Sequence, residues 1–512
     1  MGSIIEWQAL LDLGFLWAER DYVRMGEYRQ SALALARHLN DPKSLGQSLN
    51  RVGNWYLFVE QPHEALRYHQ EALALFQSVD DKPNVATTYD LLGVTQFIGG
   101  DIAAGIPPYE QAIARFRALD DDRGLASSLM YFAARGANLL WTSAPWPVVA
   151  ASECQRDGEE ALRLTRQLGW RSGEAGAQVI LAYSTGPHGE YRIALEYVRT
   201  ALTIAQAIEH TAWIVSAQNA LGAIMCDLLA LHLARQYLEQ ALELAHGLGI
   251  FFLRSVAGLL VPTCIAQRDF ARARAVLVLA LPPDTPIQTQ GQRMCWAASA
   301  ELALASNHPE AALDIMDRLI AAAMLDGVTV AGCILRLLYL RSTALAALGR
   351  LDEAEEMLLA AEQGAAQRGL RPLRWRIQLS IGKLAQRRAR RKQAEIAFAA
   401  ARMLIHELGS SILDSDLRAE FVQKALELLP RMRKPTARQG VKATFDGLTA
   451  REREIAALIA QGSINREIAA TLVVGERTVE THITNILTKL DFSSRRQIAA
   501  WAVEKGLAKR IE

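Results

Sequence analysis

Small side chains recur with a regular spacing over the first 430 positions of the chain. The main column is alanine, with steps of 40 or 80 positions apart from one step of 49, at Ala32, Ala72, Ala112, Ala161, Ala201, Ala241, Ala321, Ala361 and Ala401. A second column of small residues precedes most of these by seven positions, and four glycines stand 19 positions before an alanine: Gly53, Gly93, Gly222 and Gly382. Small residues at such offsets let two helices approach closely. The pattern therefore predicts an array of about ten helical hairpins.

A different pattern of apolar positions occupies Leu448–Leu507. Thr449 and Glu452 have the spacing of a capping box, and Gly462 is a helix stop. We expect Asn465 to cap a second helix that runs through Leu472, followed by a tight turn. A third helix then carries one apolar stripe, formed by Val479, Ile483, Ile486, Leu487 and Leu490. Helix, tight turn and a longer amphipathic helix together predict a helix-turn-helix.

The polar face of the third helix is the candidate for recognition chemistry. It carries short or charged side chains one turn apart, at Arg477, Glu480, Thr481, Thr484 and Thr488. Side chains of these types on an exposed helix can meet base edges in a major groove. A small helical bundle that binds only protein is the alternative interpretation of this stretch. For Glu480 alone, a solvated surface position is as good an interpretation as base contact.

The same stretch resembles the LuxR-type DNA-binding domain. It has LTxRE at the start, G-x-x-N-x-E-I-A in the middle, then T-V-x-x-H and K-L before S-R. The resemblance implies a four-helix domain whose third helix enters the major groove and whose fourth helix, Ser494–Lys505, makes a dimer contact. It places base reading on Glu480, Thr481 and Thr484. It places phosphate contacts on Arg477, Thr478, His482, Thr488, Lys489 and Arg495. Gly475 departs from the Ser or Thr usual before the recognition helix, and we expect a slightly weaker helix start there.

The repeat array is similar to tetratricopeptide repeats, W-x-x-L-G-x-x-Y…A-x-x-x-F-x-x-A. Around Gly93 the match comprises Tyr89, Leu92, Tyr109 and Ala112. The usual period is 34, so a period of 40 implies longer helices or a longer connection such as Ser78–Asn84. The resemblance implies a solenoid whose concave surface binds peptides or proteins. By analogy, candidate contacts in that groove are Asn50, Asn54, Asp90, Gln218 and Asn219, and the alternative is that these polar residues lie on a solvated helix face.

The charge is distributed unevenly over the 512 residues. From Arg431 onward there are 15 Lys and Arg against 9 Asp and Glu, whereas the preceding 430 residues carry 41 against 46. A basic end that coincides with the helix-turn-helix pattern fits a phosphate-facing surface. The stretch between Pro430 and Gly447 combines basic residues with proline and glycine, which indicates a flexible linker. Five cysteines without C-x-x-C spacing indicate reduced thiols of a cytoplasmic protein, with no zinc site.

Catalytic chemistry has no specific signature in this chain. It lacks a phosphate loop, H-E-x-x-H, G-x-S-x-G and a dinucleotide fingerprint, so we expect neither an enzyme nor a cofactor. The segment Thr211–Ala234 is apolar, but Gln218, Asn219 and Asp227 argue against a membrane span, and we expect no membrane partner.

These patterns predict an all-α protein, an α-solenoid of tetratricopeptide-like hairpins followed by a four-helix LuxR-type helix-turn-helix domain. We expect the repeat domain at 1–430, a basic linker at 431–446 and the DNA-binding domain at 447–512. This order resembles the C-terminal part of MalT-type regulators of bacteria without their ATPase module. The chain is then either a stand-alone variant or a piece of a longer regulator.

The leading hypothesis is a transcriptional regulator whose array senses an effector and controls the helix-turn-helix. Its expected partners are double-stranded DNA, a peptide, protein or small-molecule effector at the array, a second copy of the chain on DNA, and RNA polymerase. The alternative is an adaptor whose array binds a protein and whose C-terminal domain only dimerises it.

Overall fold

The computed structural model describes residues 2–18, 20–136, 150–322, 334–430 and 445–507. Every regular element in these ranges is helical, which confirms the all-α class. The chain divides into two compact units, Met1–Leu429 and Pro430–Glu512, here called the array and the C-terminal unit and described separately. The predicted linker, 431–446, lies outside the described residues except for its last two positions.

The array is built from helix pairs in sequence order. Most helices pack mainly on their chain neighbours, from α1 on α2 to α19 on α20, and α21 closes the end against α20. The exceptions are α13 and α15, which pack more extensively on each other than on α14. This arrangement confirms the predicted α-solenoid of about ten hairpins. The helices are α1 Gly2–Trp17, α2 Tyr22–Ala36, α3 Pro42–Phe58, α4 Pro62–Ser78, α5 Lys82–Gly99, α6 Ile102–Ala118, α7 Asp122–Ala133, α8 Ala151–Gln167, α9 Arg171–Thr185, α10 Tyr191–Ala207, α11 Thr211–Asp227, α12 Leu231–Ala245, α13 Ile250–Ala266, α14 Phe270–Ala280, α15 Gln290–Ala305, α16 Pro309–Ala321, α17 Leu335–Ala347, α18 Leu351–Gln367, α19 Arg371–Arg387, α20 Arg391–Ser410 and α21 Ser415–Glu427.

Long helices and short turns account for the spacing of the repeats. Helices α4 and α5 have 17 and 18 residues, and the connection between them is only Val79–Asp81, so the positions beyond the usual repeat length lengthen the helices. The turns recur at every twentieth position, with a left-handed residue at Asn40, Glu60, Asp80, Gly100 and Asp120. Such a residue ends a helix by satisfying its last carbonyls. An aspartate that caps the next helix often follows directly, as at Asp41, Asp81, Asp101 and Asp121.

The glycine column marks where the two helices of a pair touch. A Cβ at Gly53 would lie 2.6 Å from Cε1 of His69, and one at Gly93 would lie 2.6 Å from Cδ2 of Tyr109. The alanines of the main column are fully buried, with one exception. Ala321 is exposed, so its assignment to the column is wrong. In α16 the fully buried Leu319 lies two positions before Ala321.

The array winds so that distant repeats meet. Arg254 Nη1 donates to Glu60 Oε2, Arg371 Nε donates to the carbonyl of His188 at 2.8 Å, and Lys424 Nζ donates to the carbonyl of Leu229 at 3.2 Å. These partners are separated by 183–195 residues. One turn of the superhelix therefore takes between four and five repeats.

The C-terminal unit is a four-helix domain, as predicted. Its helices are α22 Ala450–Ala460, α23 Asn465–Leu472, α24 Glu476–Leu490 and α25 Arg495–Glu504. They enclose a core that includes Ile455, Ile468, Val479, Ile486, Ile498 and Trp501. The prediction for Asn465 was wrong, because the backbone of Ile464 holds the cap position and Asn465 is the first helical residue.

Cys154, Cys226, Cys264 and Cys295 are free thiols, and Cys333 lies outside the described residues. Within the ranges given above, no helix has both the length and the apolar character that a bilayer crossing requires.

Candidate nucleic-acid interface

Helix α24 is anchored by one face and exposed on the other. Val479 and Ile486 are completely buried in the domain core. Arg477, Thr478, Glu480, Thr481 and Thr484 are exposed, as are Thr488 and Lys489 about one turn further on. The structure thus brings the predicted base-reading residues together on one accessible helix face.

The threonines on this face all hydrogen-bond to the helix backbone in the same way. Their Oγ1 atoms donate to the carbonyl four positions earlier, Thr481 to Arg477 at 2.9 Å, Thr484 to Glu480 at 3.0 Å and Thr488 to Thr484 at 2.9 Å. A hydroxyl whose proton is engaged in this way still offers its lone pairs. Since the carboxylate of Glu480 also only accepts, the reading face presents mainly acceptors. Acceptors match the amino groups of cytosine N4 and adenine N6 in the major groove.

Two of the residues predicted to contact phosphate also make hydrogen bonds between helices of the domain. Lys489 Nζ bonds both carboxylate oxygens of Glu452, at 2.6 and 2.7 Å. Arg495 donates to Asn465 Oδ1 and to the carbonyl of Ser463, both at 2.6 Å. Their contact with phosphate stays a prediction. His482 is half-buried, and its Nδ1 has no hydrogen-bond partner among the described residues.

Glu452 is the site residue that the sequence pattern did not reveal as such. The pattern marked it as the capping-box partner of Thr449, and both hydrogen bonds of that box are present. Its side chain is only 3% exposed and lies against Lys489, 37 positions away. Burial alone would raise the pKa of Glu452, but the hydrogen bonds from Lys489 and Thr449 outweigh it and lower the pKa. One carboxylate therefore fixes both the start of α22 and the end of α24.

Gly475 caps α24 through its backbone only. It has extended geometry (φ −75°, ψ 149°) and no side-chain cap bond, as expected from the departure noted above. A Cβ at this position would meet only Thr478 Oγ1, at 3.8 Å. A serine would therefore fit, and glycine leaves the helix start weaker by a few tenths of a kcal/mol.

In the array, the polar residues proposed for the groove connect neighbouring repeats. Asn50 donates to Thr88 Oγ1 at 2.8 Å, and Asn219 donates to Ser255 Oγ at 3.1 Å. The Oδ1 of Asp90 accepts from Ser128 Oγ at 2.6 Å. The partners in these bonds lie 36 or 38 positions apart, which is about one repeat. These side chains thus tie one hairpin to the next.

The other groove candidates have different surroundings. Gln218 donates to Gln240 Oε1 at 3.2 Å, within one hairpin. Asn54 lines a polar cavity of about 330 Å³ together with Asn50, Gln8 and Arg51. Ligand contact by any of the five stays a prediction.

Replacing Asp90 with asparagine is expected to stabilise the array at alkaline pH. Burial raises the pKa of Asp90 to about 6, against the smaller lowering by Ser128. The pKa of Asp90 is higher in the folded chain than in the unfolded chain. Asp90 therefore favours folding at acid pH, and this contribution to stability is lost as the pH rises through about 6. Asp90→Asn should therefore unfold later than the parent at about pH 8, by on the order of 2 kcal/mol, and the two should converge near pH 4.

Thermal unfolding of both chains over this pH range checks the prediction. Asp122→Asn, an exposed substitution in α7, is the matched control and should show no such pH-dependent gain. An Asp90→Asn chain whose melting temperature tracks the parent at every pH would contradict it.

Known proteins match the chain in both units. Residues 446–502 match the family "Bacterial regulatory proteins, luxR family". The C-terminal unit contains a LuxR-type helix-turn-helix domain. Residues 44–118 match the tetratricopeptide repeat family, which agrees with the hairpins of the array.

Two relatives of the LuxR-type domain are regulators of Bacillus subtilis (strain 168). The chain is 44% identical over 66 residues to the uncharacterized transcriptional regulatory protein YhcZ, which is 13% of this chain and 31% of that protein. It is 54% identical over 57 residues to the transcriptional regulatory protein LiaR, 11% of this chain and 27% of that protein. The chain thus spans less than a third of the length of these relatives.

Two solved structures resemble the array at low identity. One is a Rap protein complexed with competence and sporulation factor, with TM-score 0.45 and 11% identity over 80% of this chain and 99% of that one. The other is NprR in complex with its cognate peptide NprX, with TM-score 0.45 and 12% identity over 70% of this chain and 97% of that one.

Proposed function

We propose that this chain is a DNA-binding transcriptional regulator, in which the LuxR-type domain reads the major groove through α24. The observation that carries the proposal is the contrast between the two faces of that helix. Its core face is completely buried at Val479 and Ile486, so the helix is held rigidly. Its outer face presents the exposed side chains of Glu480, Thr481 and Thr484, and the hydroxyls of the two threonines donate only to backbone carbonyls of the same helix. A rigid helix with an accessible polar face is what base reading requires.

The chemistry of the face supports a specific base preference. Glu480, Thr481 and Thr484 offer acceptors, because the threonine protons are engaged with the backbone. Arg477 at the start of the helix supplies a positive charge for phosphate. We therefore expect cytosine or adenine amino groups to face the centre of α24.

The array is the proposed sensor in this account. Its helix pairs form a long surface of the kind that binds effectors in repeat proteins. Binding there would control the LuxR-type domain. Dimerisation through α25, contact with RNA polymerase and a cytoplasmic location are further predictions from the family resemblance.

Thr484→Val and Arg477→Ala are expected to affect DNA binding in different ways. Valine keeps the shape of threonine but removes its acceptor, so Thr484→Val should cost about 1–3 kcal/mol against the preferred base and relax specificity at one position. Arg477→Ala should weaken binding to all sequences alike and lower the salt slope by about one. The measurement is the affinity of each full-length variant for a duplex selected by the parent and for its single-base variants.

Thr471→Val, an exposed threonine of α23 outside the reading face, is the matched control and should bind as the parent does. Equal losses on every duplex for Thr484→Val and Arg477→Ala would contradict the assignment of α24 as the reading helix. Full-length protein that binds no duplex would favour the adaptor.

A further inference from the structure

The array encloses a cavity of about 460 Å³ that is lined mainly by the first helix of successive hairpins. Residues of α5, α7, α9, α11, α13 and α15 line it, together with the end of α3 and Tyr109 of α6. Its volume lies in the range typical of small-molecule sites. It is separate from the polar cavity beside Asn54.

The wall of this cavity is largely aromatic, and His210 is the histidine among its described lining residues. Six of the lining side chains are Phe58, Phe97, Trp170, Trp213, Phe251 and Phe252. Phe58 stacks on Phe252, with ring centroids 5.9 Å apart and planes 10° apart, so the turn of the superhelix closes one side. Among the described residues that line the cavity there is no Asp, Glu, Lys or Arg. A charged ligand would lose its hydration there with no Asp, Glu, Lys or Arg in the described wall to compensate it.

Two buried polar atoms at the wall lack a partner among the described residues. The Tyr109 hydroxyl and Asn219 Oδ1 make no hydrogen bond. Tyr109 is completely buried and Asn219 is 2% exposed, and both side chains line the cavity. The amide nitrogen of Asn219 is already bound to Ser255, which leaves its oxygen as an acceptor. A buried acceptor without a donor is costly, and a ligand N–H or O–H would satisfy it.

We propose that this cavity binds a small, uncharged aromatic molecule that donates a hydrogen bond to Asn219 Oδ1. The aromatic walls provide the binding energy, and the orphan acceptor selects ligands that carry a donor. This goes beyond the proposed function by naming a ligand class for the sensor. An extended peptide fits the wall less well, because Asn219 and Gln290 are its side-chain amides among the described residues and much of the remaining lining is apolar.

N-phenylnaphthylamine is a suitable probe, since it is neutral, aromatic and carries one N–H. Titration of the full-length protein should give a saturable fluorescence rise with one site per chain. The sulfonated counterpart, anilinonaphthalene sulfonate, carries the same rings with a charge and should bind at least roughly tenfold more weakly. Absence of saturable binding by the neutral probe would overturn the proposal.

Two substitutions locate the bound probe. Ser127→Trp adds an indole to the cavity from α7 and should abolish binding, whereas Ser31→Trp on the exposed face of α2 should leave it unchanged. Asn219→Leu removes the acceptor but keeps a side chain of similar size, and it should weaken binding of N-phenylnaphthylamine by about three- to tenfold. Phenyl naphthyl ether, which has no N–H, should bind the parent and Asn219→Leu equally.

Each outcome decides for or against the cavity. Binding that survives Ser127→Trp would place the probe elsewhere and overturn the proposal. If Ser127→Trp does not fold, the affinities of N-phenylnaphthylamine and phenyl naphthyl ether for Asn219→Leu decide instead. An equal loss of affinity for both compounds would contradict a hydrogen bond from the ligand to Asn219. DNA binding is not part of this readout, so failure here leaves the LuxR-type domain's proposed function untouched.

Discussion

Lys489→Met is expected to lower the free energy of unfolding of the LuxR-type domain by about 2–3 kcal/mol. The substitution leaves the carboxylate of Glu452 without the cation that bonds both its oxygens at 2.6 and 2.7 Å. Glu452 is 3% exposed, so water cannot replace the lysine, while the 38% exposure of Lys489 keeps the loss below that of a fully buried pair. DNA affinity should fall for all sequences, because the end of α24 loosens.

Peptide-resolved hydrogen exchange on the full-length chain measures this effect in the domain itself. Amides of α22 and α24 should exchange roughly 30- to 150-fold faster than in the parent. Lys505→Met is the matched control, because Lys505 pairs at 2.9 Å with an exposed carboxylate, Asp446, and its loss should be too small to resolve. Equal protection in the two variants would contradict the role given to Glu452. Partial recovery in Glu452→Gln/Lys489→Met would support it.

Arg254→Met is expected to be the most damaging single change in the array, at about 3–5 kcal/mol. Glu60 and Arg254 form an ion pair whose side chains are 1% and 9% exposed. Arg254 also donates to the carbonyl of Ala280 at 2.8 Å. Methionine fills a similar volume but leaves the buried carboxylate of Glu60 without its cation. Because this pair joins repeats 194 positions apart, its loss should open the winding of the superhelix.

The measurement is thermal unfolding together with hydrogen exchange in α3, α4 and α13. Arg67→Met, which breaks an exposed pair with Glu64 in the same α4, is the control and should cost no more than about 0.5 kcal/mol. The double change Glu60→Leu/Arg254→Met should recover most of the loss, since an apolar pair replaces a buried ionic one at little cost. Leu229 adopts the same left-handed backbone as Glu60, so leucine is compatible with that turn. An Arg254→Met chain as stable as Arg67→Met would contradict the claim that the Glu60–Arg254 pair holds distant repeats of the array together.

Features set by local spacing could be predicted from the sequence. The small-residue columns predicted the hairpins because Gly53 and His69 must touch within one pair. The apolar stripe on α24 predicted its buried face because Val479 and Ile486 lie on the same side of one helix. Ala321 shows the limit, because in an alanine-rich chain one alanine can fit the period while a neighbour, Leu319, is the buried residue.

Features set by distant partners could not be predicted in this way. Nothing in the spacing of Glu60 and Arg254 indicates that the array winds back on itself, since the pitch depends on the sum of many small rotations between repeats. The aromatic cavity follows from the same winding. Lys489 carried a predicted phosphate contact, yet its bond to Glu452 depends on how α22 crosses α24. Ligand contact by the polar residues of the groove stays a prediction, and the repeat-to-repeat hydrogen bonds of Asn50, Asp90 and Asn219 could be found only from the structure.

Selection from a pool of random duplexes by the full-length protein tests the central claim most directly. The account predicts enrichment of one motif in which adenine or cytosine amino groups face α24. It also predicts affinity that falls steeply with salt, by a slope of about 0.9 per phosphate contact. Enrichment of no sequence, with no dependence of binding on salt, would contradict the account. The chain would then be better explained as an adaptor whose array binds a protein partner.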